Sequence, residues 1–204
     1  MHFVFKVNKQ SDNIDLIDNQ YIITASVLIA IWLMTDIFCL IEKNNWIFWS
    51  RIMQYEPHRF FTSAIIHSDA KHLLMNLGGI VVARAIFKQL GMKSNYLFFL
   101  LTIFLIPISN LLEWIWAGVV SNPNSARLGF SGVIYGVNAF LLLCAIYGKK
   151  SFFRIPLNIF KNYQVQQSMI VLTIIGQIWN FSGGVSVVGH NTGFIGGIIL
   201  FFIS

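Results

Sequence analysis

Charged residues are scarce in this chain. Asp, Glu, Lys and Arg make up 11% of its 204 residues, whereas a soluble globular chain carries roughly 25%. Hydrophobic residues make up 56%, and the mean hydropathy is +0.67. This balance excludes an ordinary soluble domain and indicates an integral membrane protein that crosses the bilayer several times.

Cysteine is nearly absent as well. The two residues of this type, Cys39 and Cys144, lie far apart in separate apolar runs, which excludes a disulfide framework and a zinc-type spacing. The net charge of +6 comes from short basic clusters between apolar runs, without a basic stripe. We therefore predict neither a metal site nor a nucleic-acid partner.

Six apolar runs approach the length of about 20 residues that a membrane-spanning helix needs. They cover about 22–41, 71–87, 95–119, 131–148, 165–181 and 189–203. The pattern predicts an all-α membrane protein, a bundle of six transmembrane helices. Residues 1–20 mix lysines with aspartates and are predicted to form a short cytoplasmic tail, which leaves 21–204 as a single membrane domain.

The distribution of Lys and Arg predicts the orientation of the bundle. Nine of the 14 such residues lie on the side that holds the N-terminus: Lys6, Lys9, Arg84, Lys88, Lys93, Lys149, Lys150, Arg154 and Lys161. Because basic residues favour the cytoplasmic side, we expect both termini in the cytoplasm. The compact form of the chain favours a bacterial inner membrane.

Polar side chains inside spans are costly and mark functional sites, and three motifs carry them. "HSDAKHLLMN" holds His72 and Asn76, "GFSGVIY" holds Ser131 and Tyr135, and "GHNTGFIGG" holds His190. These motifs begin the second, fourth and sixth runs. Alternate spans are parallel, so the three motifs lie at about the same depth and can form one site.

This set of side chains suits acyl transfer. A serine hydroxyl needs an adjacent base to act as a nucleophile, and His190 is the candidate base for Ser131. Acyl transfer also needs donors directed at the developing oxyanion. His72, Asn76 and the backbone N–H of Ser131 can supply them.

Glycine spacing explains how the helices could approach closely. Gly132 and Gly136 form a small-xxx-small pair on the fourth run, and Gly193 and Gly197 form another on the sixth. Close approach of these two helices would bring His190 within reach of Ser131. Gly129 would shape the turn that exposes the backbone N–H of Ser131.

Each motif also has a structural explanation. A serine at the start of a helix is often only a cap, and a His–Asn pair four residues apart can be a structural hydrogen bond. Asp36, Asp69 and Glu113 could each orient a histidine as a third acidic residue, and no spacing singles one out. Taken together, the motifs favour a Ser–His dyad.

From about His58 to the C-terminus the chain resembles the rhomboid family of intramembrane serine proteases. "HRFFTSAIIHSDAKHLLMNLGG" resembles the family's first-loop arginine and its His-x-x-x-Asn helix. "GFSGVIY" resembles its catalytic Gly-x-Ser-Gly, and "GHNTGFIGG" resembles the His-x-x-Gly-x-x-x-Gly of its last span. The resemblance implies a rhomboid-like bundle that needs no cofactor or metal and cleaves transmembrane segments of other proteins in the lipid bilayer.

The family's roles also carry over by resemblance. Ser131 would be the nucleophile and His190 the base, with His72 and Asn76 as oxyanion stabilisers and Tyr135 packed on the histidine ring. Arg59 would order the first loop, and His67 would line the mouth of the site. Two alternatives stay open: an inactive rhomboid-like protein that binds or escorts membrane clients, and a small transporter or channel.

Overall fold

The structure, a computed structural model, describes residues 14–92, 94, 96–120, 124–180 and 186–204. These residues form seven α-helices: α1 (Ile14–Trp32), α2 (Arg59–Thr62), α3 (Ala70–Gln89), α4 (Leu97–Val119), α5 (Ser131–Tyr147), α6 (Tyr163–Trp179) and α7 (Val187–Ile203). They also form two antiparallel pairs of short strands: β1 (Phe48–Trp49) with β2 (Ala126–Arg127), and β3 (Lys149–Phe152) with β4 (Ile155–Ile159).

The six apolar runs lie on α1 and on α3 to α7. Among the described residues, three helical segments are long and apolar enough to span a bilayer: Asp18–Ile37, Ala70–Gln89 and Leu97–Val119. Helices α5 and α7 are apolar but shorter, at 17 residues each. The prediction of an all-α membrane bundle is confirmed, and the number of six crossings stays a prediction.

The predicted tail and the first helix overlap in sequence. Helix α1 begins at Ile14, and residues 1–13 lie outside the described part of the chain. At the other end of the first run, α1 continues as a π-helical turn, Leu33–Ile37. The division into a tail at 1–20 and a membrane domain at 21–204 therefore stays a prediction.

Side-chain caps fix the beginnings of two helices that carry candidate site residues. Asp69 accepts a hydrogen bond from the backbone N–H of His72 at 2.9 Å, and Ser186 accepts one from the N–H of Gly189 at 3.0 Å. Such caps satisfy amides that the helix itself leaves unpaired. The bond from His72 holds the pKa of the Asp69 carboxyl below its usual value. Both caps set the direction of the helix turn that follows.

Helix α5 is the centre of the bundle and packs against α3, α4, α6 and α7. Its contact with α7 is the closest. A Cβ atom added to Gly193 would lie 2.0 Å from the carbonyl oxygen of Gly132, and one added to Gly197 would lie 2.0 Å from that of Gly136. Only glycine permits this backbone approach, which is the one that the glycine spacing predicts.

The β3–β4 hairpin is a departure from the predicted all-helical pattern. Its turn uses Phe153 and Arg154 at φ values of 44° and 71°. Two-residue hairpin turns of this kind normally have Asn or Gly where φ is positive. Because neither residue type is present, the sequence contains no recognisable hairpin signal here.

Candidate active site

Ser131 and His190 meet where α5 and α7 begin. Ser131 is the first residue of α5, and His190 lies in the first turn of α7. The Nε2 atom of His190 is 2.8 Å from Oγ of Ser131, which is hydrogen-bond distance. The glycine contact between the two helices makes this pairing possible, because it brings their first turns together.

Tyr135 lies one helical turn after Ser131 and stacks on the His190 ring. The ring centroids are 4.3 Å apart, and the planes differ by 10°. The Tyr135 hydroxyl donates to the carbonyl oxygen of Gly176 on α6 at 2.7 Å. The imidazole therefore rests on an aromatic ring that is itself fixed by a hydrogen bond.

The His72 ring lies against the turn that leads into Ser131. Gly129 in that turn has a φ of +108°, and a Cβ atom there would lie 2.4 Å from Cε1 and 2.6 Å from Nε2 of His72. The Gly129 N–H donates to the carbonyl oxygen of Ser63 at 2.8 Å. Both the backbone angle and the space require glycine at this position.

Asn76 and His67, on either side of His72 in the sequence, are both buried. Within the described residues, Nδ2 of Asn76 and both ring nitrogens of His67 have no hydrogen-bond partner. The His67 ring packs edge-on against His72, with centroids 5.2 Å apart. Burial lowers the pKa of His67 to about 4, so its ring is neutral at physiological pH. A free amide donor on Asn76 is what an oxyanion stabiliser requires.

Arg59 fastens the first loop from inside. Its side chain is buried, its Nε atom lies 2.6 Å from Oε2 of Glu56, and one terminal nitrogen donates to the carbonyl oxygens of Asn44 at 2.6 Å and Ile47 at 2.8 Å. One guanidinium therefore holds two turns of the loop that precedes α3. This contact set suits the ordering role that the resemblance implies.

None of the three candidate acids contacts His190 within the described residues. Asp36 pairs with Lys43 at 2.5 Å, and Asp69 caps α3. Glu113 forms an ion pair with Arg127 at 2.9 Å, and both side chains are buried. Sequence reasoning did not identify this pair, although an isolated glutamate inside an apolar run was a signal for it.

The partner of the second ring nitrogen of His190 is an amide. Nδ1 of His190 lies 2.5 Å from Oδ1 of Asn180, a buried residue at the C-terminal end of α6. Sequence reasoning missed Asn180 as well. Its only signal was a polar side chain at the end of the fifth apolar run, in "QIWNF".

The family model of the Rhomboid domain matches residues 54–204. This chain belongs to the rhomboid family. Among curated proteins, no sequence matches it. Rhomboids are typically intramembrane serine proteases, and related members share the fold. This rhomboid is therefore an integral membrane protein of that protease family or its relatives. Among its described residues, no three His, Cys, Asp or Glu side chains are grouped to hold a metal ion.

Proposed function

We propose that this rhomboid is a serine endopeptidase that hydrolyses peptide bonds in or near transmembrane segments of other membrane proteins. The observation that supports the proposal most strongly is the 2.8 Å contact between Nε2 of His190 and Oγ of Ser131. An imidazole at hydrogen-bond distance is the arrangement that makes a serine hydroxyl nucleophilic at neutral pH.

In the first half of the reaction, Oγ of Ser131 attacks the carbonyl carbon of the scissile bond while Nε2 of His190 accepts the hydroxyl proton. The carbonyl oxygen becomes an oxyanion, which His72, Asn76 and the backbone N–H of Ser131 stabilise. Collapse of this intermediate breaks the C–N bond. His190 gives its proton to the leaving amine, and an acyl-enzyme remains.

In the second half, water replaces the amine. His190 accepts a proton from the water, and the resulting hydroxide attacks the acyl carbon to form a second oxyanion in the same set of donors. Its collapse releases the new carboxyl terminus, and the proton returns from His190 to Oγ of Ser131. The reaction consumes one water molecule and needs no cofactor.

The substrate has to unwind before Ser131 can attack it. Helical hydrogen bonds occupy the carbonyl groups of a transmembrane segment, and breaking them in lipid is expensive. We therefore expect substrates whose helix is weakened near the scissile bond by Gly or Pro, the poorest helix formers. The basic-residue distribution favours both termini in the cytoplasm, and the compact form of the chain favours a bacterial inner membrane.

Cleavage by purified protein tests the proposal. The wild-type chain and its Ser131→Ala and His190→Ala variants are reconstituted with a single-span membrane protein that carries Gly and Pro in its span. We expect cleavage by wild type and its loss in both variants. Ser168→Ala is the matched control, because Ser168 is an exposed serine on α6 whose hydroxyl bonds the carbonyl oxygen of Gln164 in its own helix.

Two results would contradict parts of this proposal. Undiminished cleavage by Ser131→Ala or His190→Ala would rule out the dyad. A wild-type protein that binds the substrate without cleaving it, and that no fluorophosphonate labels at Ser131, would favour the inactive client-binding alternative.

A further inference from the structure

Asn180 links the catalytic histidine, which lies on α7, to the end of α6. Asn180 follows the last residue of α6, and its side chain is 2% exposed. Its Oδ1 atom lies 2.5 Å from Nδ1 of His190, on the opposite side of the ring from Ser131. The imidazole is therefore held at both nitrogens.

The Asn180 amide has its nitrogen on Gln177 and its oxygen on the histidine. Its Nδ2 group donates to Oε1 of Gln177 at 3.1 Å, while its Oδ1 lies 3.2 Å from the Tyr135 hydroxyl, whose proton goes to the carbonyl oxygen of Gly176. An amide oxygen only accepts hydrogen bonds, so Nδ1 of His190 has to carry the ring proton. Nε2 is then unprotonated and directed at the Ser131 hydroxyl, as a general base requires.

We infer that Asn180 is a positioning residue, the third member of a Ser131–His190–Asn180 arrangement in which a neutral amide selects the tautomer and the ring orientation of the base. The inference rests on the proposed function. It replaces the open question of an acidic third residue, since the candidate acids are occupied elsewhere: Asp36 by Lys43, Asp69 by the start of α3 and Glu113 by Arg127.

The position of Asn180 makes the base depend on α6. Among the described residues of that helix, only Val165 and Met169 are buried, and both lie in its first half. Its end contacts the site through polar groups, which include the carbonyl of Gly176 on Tyr135 and the amide of Asn180 on His190. A movement of the end of α6 away from α5 therefore removes the acceptor from Nδ1, and the base loses its orientation.

Cleavage kinetics of Asn180→Ala, Asn180→Asp and Asn162→Ala test this inference. Asn180→Ala removes the acceptor, and we expect kcat to fall by about 10- to 100-fold with KM unchanged, less than the 10²–10⁴ that general-base catalysis contributes in total. Asn180→Asp keeps an acceptor at Nδ1 and should restore most of kcat. Asn162→Ala is the matched control at the other end of α6, where Asn162 caps the helix through the N–H of Val165, and its kcat should equal that of wild type.

The pH dependence of kcat separates positioning from general destabilisation. The charged or titratable groups around His190 are Tyr135 on α5, Arg127 beside Gly189, and His72 on α3. Asn180→Asp adds a carboxylate next to Nδ1, which favours the protonated ring, so the acid limb of the profile should move to higher pH. An acid limb that stays in place, or a kcat for Asn180→Ala equal to that of Asn162→Ala, would overturn the inference.

A tautomer measurement tests Asn180 independently of catalysis. In ¹⁵N-histidine NMR spectra of the wild-type protein at about pH 9, well above the ordinary histidine pKa of about 6.5, the signal lost in His190→Ala identifies this ring among the five histidines. We expect the proton on Nδ1 in wild type and a mixed or reversed tautomer in Asn180→Ala. A proton on Nε2 in wild type would overturn the inference even if cleavage is observed. The Nδ1–H form in a protein that cleaves nothing would support it while the proposed function fails.

Discussion

The face of α5 toward α7 and its face toward α6 are built differently. Toward α7, the carbonyl oxygens of Gly132 and Gly136 lie very close to the backbone of the facing glycines. A Cβ atom added to either facing glycine would be only 2.0 Å from one of these oxygens. Toward α6, the contacts include long side chains and hydrogen bonds, such as that from Tyr135 to Gly176. The α6 surface otherwise exposes Ile170, Val171, Ile174, Ile175 and Ile178.

The difference separates two requirements of the candidate site. The distance between Ser131 and His190 depends on the α5–α7 contact, where backbones touch and neither helix can shift without a clash or a gap. The orientation of His190 also depends on α6, whose second half is fixed by a few hydrogen bonds. One face of α5 therefore sets the distance between Ser131 and His190, and the other face contributes to the orientation of the His190 ring.

The largest effect is expected from a substitution that disrupts the contact between α5 and α7. Gly197→Ala places a methyl group against the carbonyl oxygen of Gly136, so we expect the free energy of unfolding to fall by about 3 kcal/mol or more. Thermal unfolding in detergent measures it. Gly78→Ala is the control, because Gly78 lies inside α3 with nothing within 4 Å of an added Cβ, and there we expect a gain of about 0.5–1 kcal/mol. Equal stabilities of the two variants would show that the close contact is not required.

The first loop adds a pH-dependent contribution that neither face of α5 supplies. The folded pKa of His67, about 4, is below its unfolded value of about 6.5. Its contribution to stability is therefore complete above pH 6.5 and is lost as pH falls toward 4, by about 3 kcal/mol. The difference between the unfolding curves of wild type and His67→Leu, recorded across this range, measures it. Parallel curves would mean that His67 is not a buried neutral ring.

A substitution at Gly129 tests whether the turn before α5 positions the His72 side chain as an oxyanion donor. Gly129→Ala forces a methyl group onto the His72 ring, and we expect kcat to fall by about 10²-fold, the cost of losing one oxyanion donor. Gly91→Ala is the matched control, since Gly91 also has a positive φ, +73°, but open space around it. A similar kcat in both variants would remove His72 from the donor set.

The smallest expected effect concerns the α6 face. Tyr135→Phe keeps the ring stacked on His190 but removes the hydroxyl that donates to the carbonyl oxygen of Gly176. We expect a loss of about 1 kcal/mol in stability, the usual net value of one hydrogen bond. Tyr147→Phe, at an exposed tyrosine of the same helix, should change nothing measurable. A loss of several kcal/mol in Tyr135→Phe would mean that the α6 face is as tightly packed as the α7 face.

Most of the helices and candidate site residues could be predicted from long apolar runs and from the spacing of residues within motifs. Helices lie on all six runs because an apolar segment in lipid has to satisfy its own backbone groups. The prediction that Ser131, His72 and His190 lie at one depth in the membrane rests on the parallel direction of alternate spans. The β3–β4 hairpin could not be predicted, since its turn residues Phe153 and Arg154 do not usually adopt positive φ.

The sequence by itself determined the membrane class, the family and the candidate pair of Ser131 and His190, because hydropathy, charge bias and motif spacing are local properties of the chain. Only the tertiary structure decided what lies behind the histidine. Asn180 is ten residues from His190 on another helix, and nothing in its local sequence distinguishes a helix-ending amide from a hydrogen-bond acceptor for an imidazole. That assignment depends on how α6 packs against α5 and α7, which is a property of three-dimensional contacts.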